Sequence, residues 1–204
     1  HSHEVGRHVA KVLSRSELTP RSVFQFMEHD YTTFTHLLNV SSYAVLLAQA
    51  LGMHDEAELE AIAVGGMLHD VGKLRIAESI LNKEGKLDDH EWEAIKEHPR
   101  LGDELIATIR EFLGPWADTI LHHHERWDGN GYPQGLVGED IHVFGRIVAI
   151  IDVFDALASD RCYRPAMPIA KTLEIISKGY GTHFDPHLLD LFLENLAIFC
   201  DIMD

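Results

Sequence analysis

The sequence predicts an all-α protein, one helical bundle, on three observations. Apolar residues recur at helical spacing along nearly the whole chain, and no run alternates at the period of two that strands need. Helix-start signals stand where the apolar runs begin: Thr19-Pro20, Asp88 with Glu91 three residues on, and Asp185-Pro186. With 204 residues, 46% hydrophobic and 25% charged, the chain buries one full-sized core and carries no linker that would split it.

Taken in order, "EVGRHVAKVLSRSEL" at 4–18 reads as a short amphipathic helix. Residues 1–30 are expected to form a helical extension that continues a linker from an upstream domain, and 31–200 the main domain. The chain opens on His1 and not Met, as a piece of a longer protein would, and His1 and His3 fit a tag. A long, largely buried helix follows over 33–51 and ends at Gly52; a second spans 55–68, with "HDVGK" at its end. Residues 72–87 mix glycines and charges and read as a loop with short turns. Asp88 then caps "DHEWEAIKEH", with Glu91 in the capping-box position. Helices are expected around 100–112 and 115–125, a strongly apolar one at 143–159, another at 167–178, and a last one opened by Asp185-Pro186.

The net charge of −16 argues against a nucleic-acid polymer as partner, because phosphate backbones call for a broad basic face. A small phosphorylated ligand remains compatible where metals or a few cations make a pocket locally positive. Cys162 and Cys200 have no CxxC spacing, which fits a reducing, cytoplasmic compartment. No apolar run is long enough to span a membrane; the best candidate, "IVAIIDVFDAL", is broken by Asp152 and Asp155. The count that calls for explanation is histidine, at 15.

In "MLHDVGKL", His69 and Asp70 are adjacent at a helix end and Lys73 lies one turn on. They fall in an apolar run, where an unpaired charge is expensive to bury. A helix-capping pair explains them as readily as a binding site. His36 sits on the apolar face of the first long helix, flanked by Phe34, Leu37 and Leu38; taken singly it reads as a core histidine. His98 precedes Pro99 at a helix junction, and His123 and His124 close another helix. Asp152 interrupts a helix apolar enough to be central, and needs a proton or a cation. Together these positions offer five imidazoles and two carboxylates. A pair of divalent cations satisfies all of them, and nitrogen and oxygen ligation suits iron, manganese or zinc.

The "HD" at 69–70 with Lys73, followed by "HHERWDGNGYP" at 123–133, resembles the HD-GYP family, bacterial cyclic di-GMP phosphodiesterases within the HD superfamily. The resemblance runs from about Tyr31 to Phe192, through "ASDRCYR" and "GTHFDP". It implies the HD-superfamily helical bundle with a short GYP loop. It also implies two divalent metals, iron first and manganese or zinc as alternatives. His36, His69, Asp70 and Asp152 would hold one; Asp70 would bridge to a second held by His98, His123 and His124. Asp70 and Lys73 are the expected catalytic residues, Lys73 beside the bridging hydroxide, and Tyr132, Arg161 and Arg164 the expected substrate contacts along with Lys73. The activity implied is hydrolysis of cyclic di-GMP, mainly to pGpG and further to GMP. Partners implied are an upstream sensor or receiver domain and a GGDEF-type cyclase.

Family members that bind three metals place a Glu four residues before the first ligand histidine; Thr32 stands there, so two metals are expected. Cys162 replaces the usual proline of "DRPYR", with its neighbours retained. Glu125 and Asp128 are expected to fix the loop or to orient ligand histidines. The rival readings are a catalytically weak cyclic di-GMP receptor or scaffold, and another HD-superfamily nucleotide phosphohydrolase. The latter leaves "DGNGYP" and "DRCYR" without a task.

Overall fold

The computed structural model describes residues 31–107, 110, 114, 117–160 and 165–203, with side chains at 31–33 and 200–203 outside the description. The expected helix at 4–18, the Thr19-Pro20 cap, the side chain of Thr32, and Arg161, Cys162 and Arg164 therefore lie outside the described residues.

The described residues are mainly helical and form no strand; their only extended pairing is two isolated bridges, Asp128 with Val137 and Tyr180 with Phe184. The long helix α1 (Tyr31–Ala50) packs along α2 (Glu56–Leu68), whose start Asp55 caps by accepting from the amides of Ala57 and Glu58. The apolar α7 (Val143–Ala158) lies against α1, with Ile147, Val148, Ile150, Ile151 and Phe154 buried. The short α6 (Ala117–His122) fills the space between α2, α7 and α5 (His98–Ile106). Rings from four helices close the far end: Tyr43, Phe154, Phe192 on α9 (Pro186–Glu194) and Phe199 on α10 (Leu196–Met203), with successive centroids 6.0, 5.0 and 4.8 Å apart. Helix α8 (Ile169–Ser177) packs against α7.

Several boundaries differ from expectation for local reasons. The segment read as a loop at 72–87 holds a 3-10 turn at Val71–Arg75 and the one-turn helix α3 (Glu78–Leu81). The capping box at Asp88 is complete: its carboxylate accepts from the Glu91 amide, and the Glu91 carboxylate accepts from the Asp88 amide, opening α4 (Asp89–Lys96). The helix expected to reach residue 125 ends at His122, so His123 and His124 stand in the turn that follows. What was read as one last helix is two, because the Asn195 side chain turns back to donate to the Leu191 carbonyl and α10 starts afresh.

Candidate metal centre

Five parts of the chain deliver the seven predicted donors to one place. α1 carries His36, the end of α2 and the turn after it carry His69 and Asp70, and α5 opens on His98. The turn after α6 presents His123 and His124, and α7 presents Asp152. The approach of the 71–75 turn to α5 depends on Gly72. A Cβ there would stand 1.8 Å from the His98 carbonyl oxygen and 2.5 Å from the Gly102 amide nitrogen, so no other residue lets Asp70 come beside His98.

The donors form two groups: Asp70, His98, His123 and His124 in one, and His36, His69 and Asp152 in the other. Within each, one donor atom per residue lies within 4.8 Å of all the rest. Asp70 stands between the groups. Its Oδ1 is 3.2 Å from His98 Nε2 and 3.9 Å from His123 Nε2, and its Oδ2 is 3.4 Å from His69 Nε2 and 2.5 Å from Lys73 Nζ. Asp152 Oδ1 is 3.1 Å from His36 Nε2 and 3.8 Å from His69 Nε2.

Four of the five rings are fixed from behind. Nδ1 of His69 donates to the Gly66 carbonyl at 2.7 Å, Nδ1 of His98 to the Ile95 carbonyl at 2.7 Å, and Nδ1 of His123 to the Ile120 carbonyl at 3.0 Å. A carbonyl only accepts, so Nδ1 holds the proton and each Nε2 turns a lone pair inward. His36 is fixed differently, by the buried carboxylate of Asp155, whose Oδ2 lies 2.6 Å from Nδ1. Asp155 Oδ1 in turn accepts from Asn39 at 2.7 Å and from the Ser159 hydroxyl at 2.8 Å.

This arrangement suits a cation and is unfavourable without one. His98 Nε2 and His123 Nε2 face each other at 3.1 Å, both buried, with two lone pairs and no proton between them. His69 Nε2 is buried and makes no hydrogen bond. The electrostatics agree. Burial, reinforced by the neighbouring His124, His69 and His98, holds His123 neutral far below the ordinary histidine range. Burial lowers His124 to about 3, against a partial upward pull from Asp152. Burial alone would raise the carboxyls of Asp70 and Asp152, yet both are held well below the usual carboxylate range. Lys73 and His69 outweigh it at Asp70, and His36 with His69 at Asp152. Neutral imidazoles and ionised carboxylates are the forms that bind metal.

The loop beside the donors is built to hold its shape. Gly129 has φ +79°, and a Cβ on Gly131 would stand 2.3 Å from the Arg126 amide nitrogen. Buried Glu125 accepts from the amides of Gln134 at 2.7 Å and Leu136 at 3.0 Å. Asp128 accepts from the Arg126 guanidinium and from the Asn130 amide. Both acids fix the loop; orienting a histidine falls to Asp155. The Tyr132 ring lies 4.8 Å from that of His124 at an interplanar angle of 30°, so the loop forms a wall of the site. Burial and the nearby Asp70 and Asp152 push its phenol pKa up, keeping it neutral.

Among the functional side chains, sequence reasoning missed Asp155. It registered only as an interruption of an apolar run, although an acid one turn from Asp152 on the same helix face was the available signal.

A family model for the HD domain matches residues 8–188. The chain belongs to the HD domain family. Divalent-metal binding goes with that family, and the two donor groups are the part of this HD-domain chain fit for it. The chain is 41% identical over 177 residues to a cyclic di-GMP phosphodiesterase of Vibrio cholerae serotype O1, covering 80% of this chain and 36% of that protein. It is 43% identical over 169 residues to the cyclic di-GMP phosphodiesterase response regulator RpfG of Xanthomonas campestris pv. campestris, covering 82% and 44%. It is 42% identical over 164 residues to the 3′3′-cGAMP-specific phosphodiesterase 2 of Vibrio cholerae, covering 80% and 31%. This chain thus spans less than half the length of these curated relatives. The fold is shared with Bd1817, an HDG"Y"P protein of Bdellovibrio bacteriovorus, at a TM-score of 0.65 and 21% identity, over 79% of this chain and 51% of that one. Among the described residues, no helix is long and apolar enough to cross a membrane.

Proposed function

We propose that the chain hydrolyses a cyclic dinucleotide phosphodiester, cyclic di-GMP first, mainly to pGpG and then to GMP. The observation that carries the reading is the inward set of buried donors, with His98 and His123 facing each other at 3.1 Å and Asp70 directing one oxygen to each group. His36, His69, Asp70 and Asp152 would hold one divalent ion; Asp70, His98, His123 and His124 would hold the second. Iron is the first choice, with manganese or zinc as alternatives. Bound there, two such ions would activate water and neutralise charge developing on the phosphate.

The chain's own residues do the rest. Lys73, paired to Asp70 Oδ2 and with its side chain 32% exposed, keeps a cation at the edge of the reacting centre, where negative charge grows. Asp155 and the three carbonyls hold four of the five imidazoles in one tautomer, so those donors need no rearrangement. Tyr132 walls one side and limits how the substrate enters. Arg161 and Arg164 extend the reading as contacts for the second phosphate, Arg being suited to bidentate contact. The names of the relatives include both cyclic di-GMP and 3′3′-cGAMP enzymes, so the base preference is part of the test. The two cysteines without CxxC spacing support a cytoplasmic setting, and the relatives' greater length supports an upstream sensor or receiver domain joined through residues 1–30. A GGDEF-type cyclase remains part of the proposal as partner.

The test is anaerobic reconstitution with ferrous iron, manganese or zinc, followed by hydrolysis of cyclic di-GMP and 3′3′-cGAMP at equal concentration. Two metals per chain, turnover of at least one substrate, and loss of both metal and turnover in Asp70→Ala are expected. An Asp70→Ala protein that keeps both metals and full turnover would sink the proposal.

A further inference from the structure

We propose that α4 forms a base-and-phosphate contact at the rim of the site, with Trp92 as the platform for a purine and Lys96 as a cation, in addition to Arg161 and Arg164, for the phosphodiester that is not cleaved. The inference rests on the cyclic dinucleotide reading above and extends it to residues outside the donor set.

Three observations lead there. First, α4 ends at Lys96, two residues before His98, so the helix is anchored to the donor cluster at its C-terminal end. Secondly, Lys96 Nζ lies 6.0 Å from the centroid of the Tyr132 ring, and that ring lies 4.8 Å from His124. Lys96, Tyr132 and His124 thus make a continuous series of contacts from the rim to the donors, and the amine rests on the same loop wall the substrate must pass. Thirdly, Trp92 is four residues before Lys96. At about 100° per residue the two side chains stand roughly 40° apart on one helix face, one turn from each other. The indole is 48% exposed, while Ala94 and Ile95 on the inner side of the same helix are partly buried.

The chemistry of Trp92 and Lys96 is that of a nucleotide contact. An exposed indole offers a flat face on which a base stacks, and stacking tolerates any purine. A cyclic dinucleotide carries two negative charges, only one of them at the reacting centre. The chain has 17 basic against 33 acidic residues, so a cation close to the site carries weight. Lys96 is paired with Glu93 Oε1 at 2.5 Å, but the Glu93 side chain is 67% exposed and such a pair is worth little. A phosphate bringing a base to Trp92 at the same time would displace it.

Steady-state kinetics of the metal-loaded protein test this, using cyclic di-GMP and 3′3′-cGAMP as substrates. Trp92→Ala is expected to raise KM by roughly 5- to 150-fold for both alike, because stacking does not read the base. Lys96→Gln is expected to raise KM by roughly tenfold or more and to make it less sensitive to salt, with Lys96→Arg restoring most of the loss. Glu93→Gln should lower KM. In each case kcat and bound metal stay near wild type, a split that a merely structural role for α4 would not give. Should Trp92→Ala fail to fold, Trp92→Phe, which keeps a platform, and Lys96→Gln carry the test. Wild-type KM in Trp92→Ala and Lys96→Gln, or a loss of metal and kcat with KM unchanged, overturns the inference while leaving the hydrolysis reading intact. A metal-loaded wild type that turns over neither substrate takes both down.

Discussion

Replacing Asp155 by asparagine changes one atom and should cost metal affinity out of proportion to its size. Asp155 Oδ1 accepts from both Asn39 Nδ2 and the Ser159 hydroxyl, so an asparagine must keep its carbonyl oxygen on that side. Its NH2 group then faces His36 Nδ1, where the carboxylate Oδ2 stood at 2.6 Å. A donor there requires Nδ1 to accept, which moves the imidazole proton to Nε2, the atom 3.1 Å from Asp152 and the one meant for the metal. The alternative is to keep the tautomer and lose the hydrogen bond. Losing a buried hydrogen bond to a charged group costs about 1.5–3 kcal/mol. At about 1.4 kcal/mol per tenfold this is a 10- to 150-fold loss, in line with the roughly 10- to 100-fold typical of groups that orient metal-bound histidines. Competition against a chromophoric chelator with manganese or zinc gives the Kd directly. A folded Asp155→Asn protein whose Kd stays within about twofold of wild type would refute the tautomer argument.

Gly72→Ala should lower stability by about 1–3 kcal/mol or more, because its Cβ would meet the His98 carbonyl and Gly102 amide, which are backbone atoms and cannot swing away. Thermal unfolding should shift down by roughly 2–4 °C per kcal/mol, and an unshifted Tm would mean the turn and α5 are not held in this register. Glu125→Gln removes one of the two carboxylate oxygens that accept from the Gln134 and Leu136 amides, losing a part-buried hydrogen bond to a charged group at about 1.5–3 kcal/mol. Hydrogen exchange at those two amides should speed up, and unchanged protection would remove Glu125 from its place as the loop's anchor. Metal-free protein should lose stability steadily from about pH 6.5 toward pH 4. Burial lowers His183 to about 4, helped by Arg126, and His124 to about 3, so over that range the unfolded chain binds protons that the folded chain refuses. Denaturant unfolding at a series of pH values checks this, and a flat profile across the range contradicts it.

How much of this was legible beforehand follows from what is local. Helical period and caps are local, so α1, α2, α4 and α7 stand within a few residues of where the sequence puts them, and the Asp88–Glu91 box closes as read. The same logic fails where a side chain turns back on its own backbone, as Asn195 does to divide the final helix. The donors were legible because histidines and aspartates in apolar runs are costly there without a partner, and because two motifs of a family stand at the right spacing. The motif begins at His123 and leaves His122 without an expected role; in the fold His122 is the last residue of α6 and belongs to neither donor group.

The sequence by itself determined the helices, the family and the residue types that seek a cation. Only the folded chain decided which nitrogen of His69, His98 and His123 faces inward, and that Asp155 stands behind His36. The reason is physical: composition and period are set by short-range preference and burial. The direction of a lone pair is set by whichever carbonyl or carboxylate, up to 119 residues away along the chain, packing brings within 3 Å.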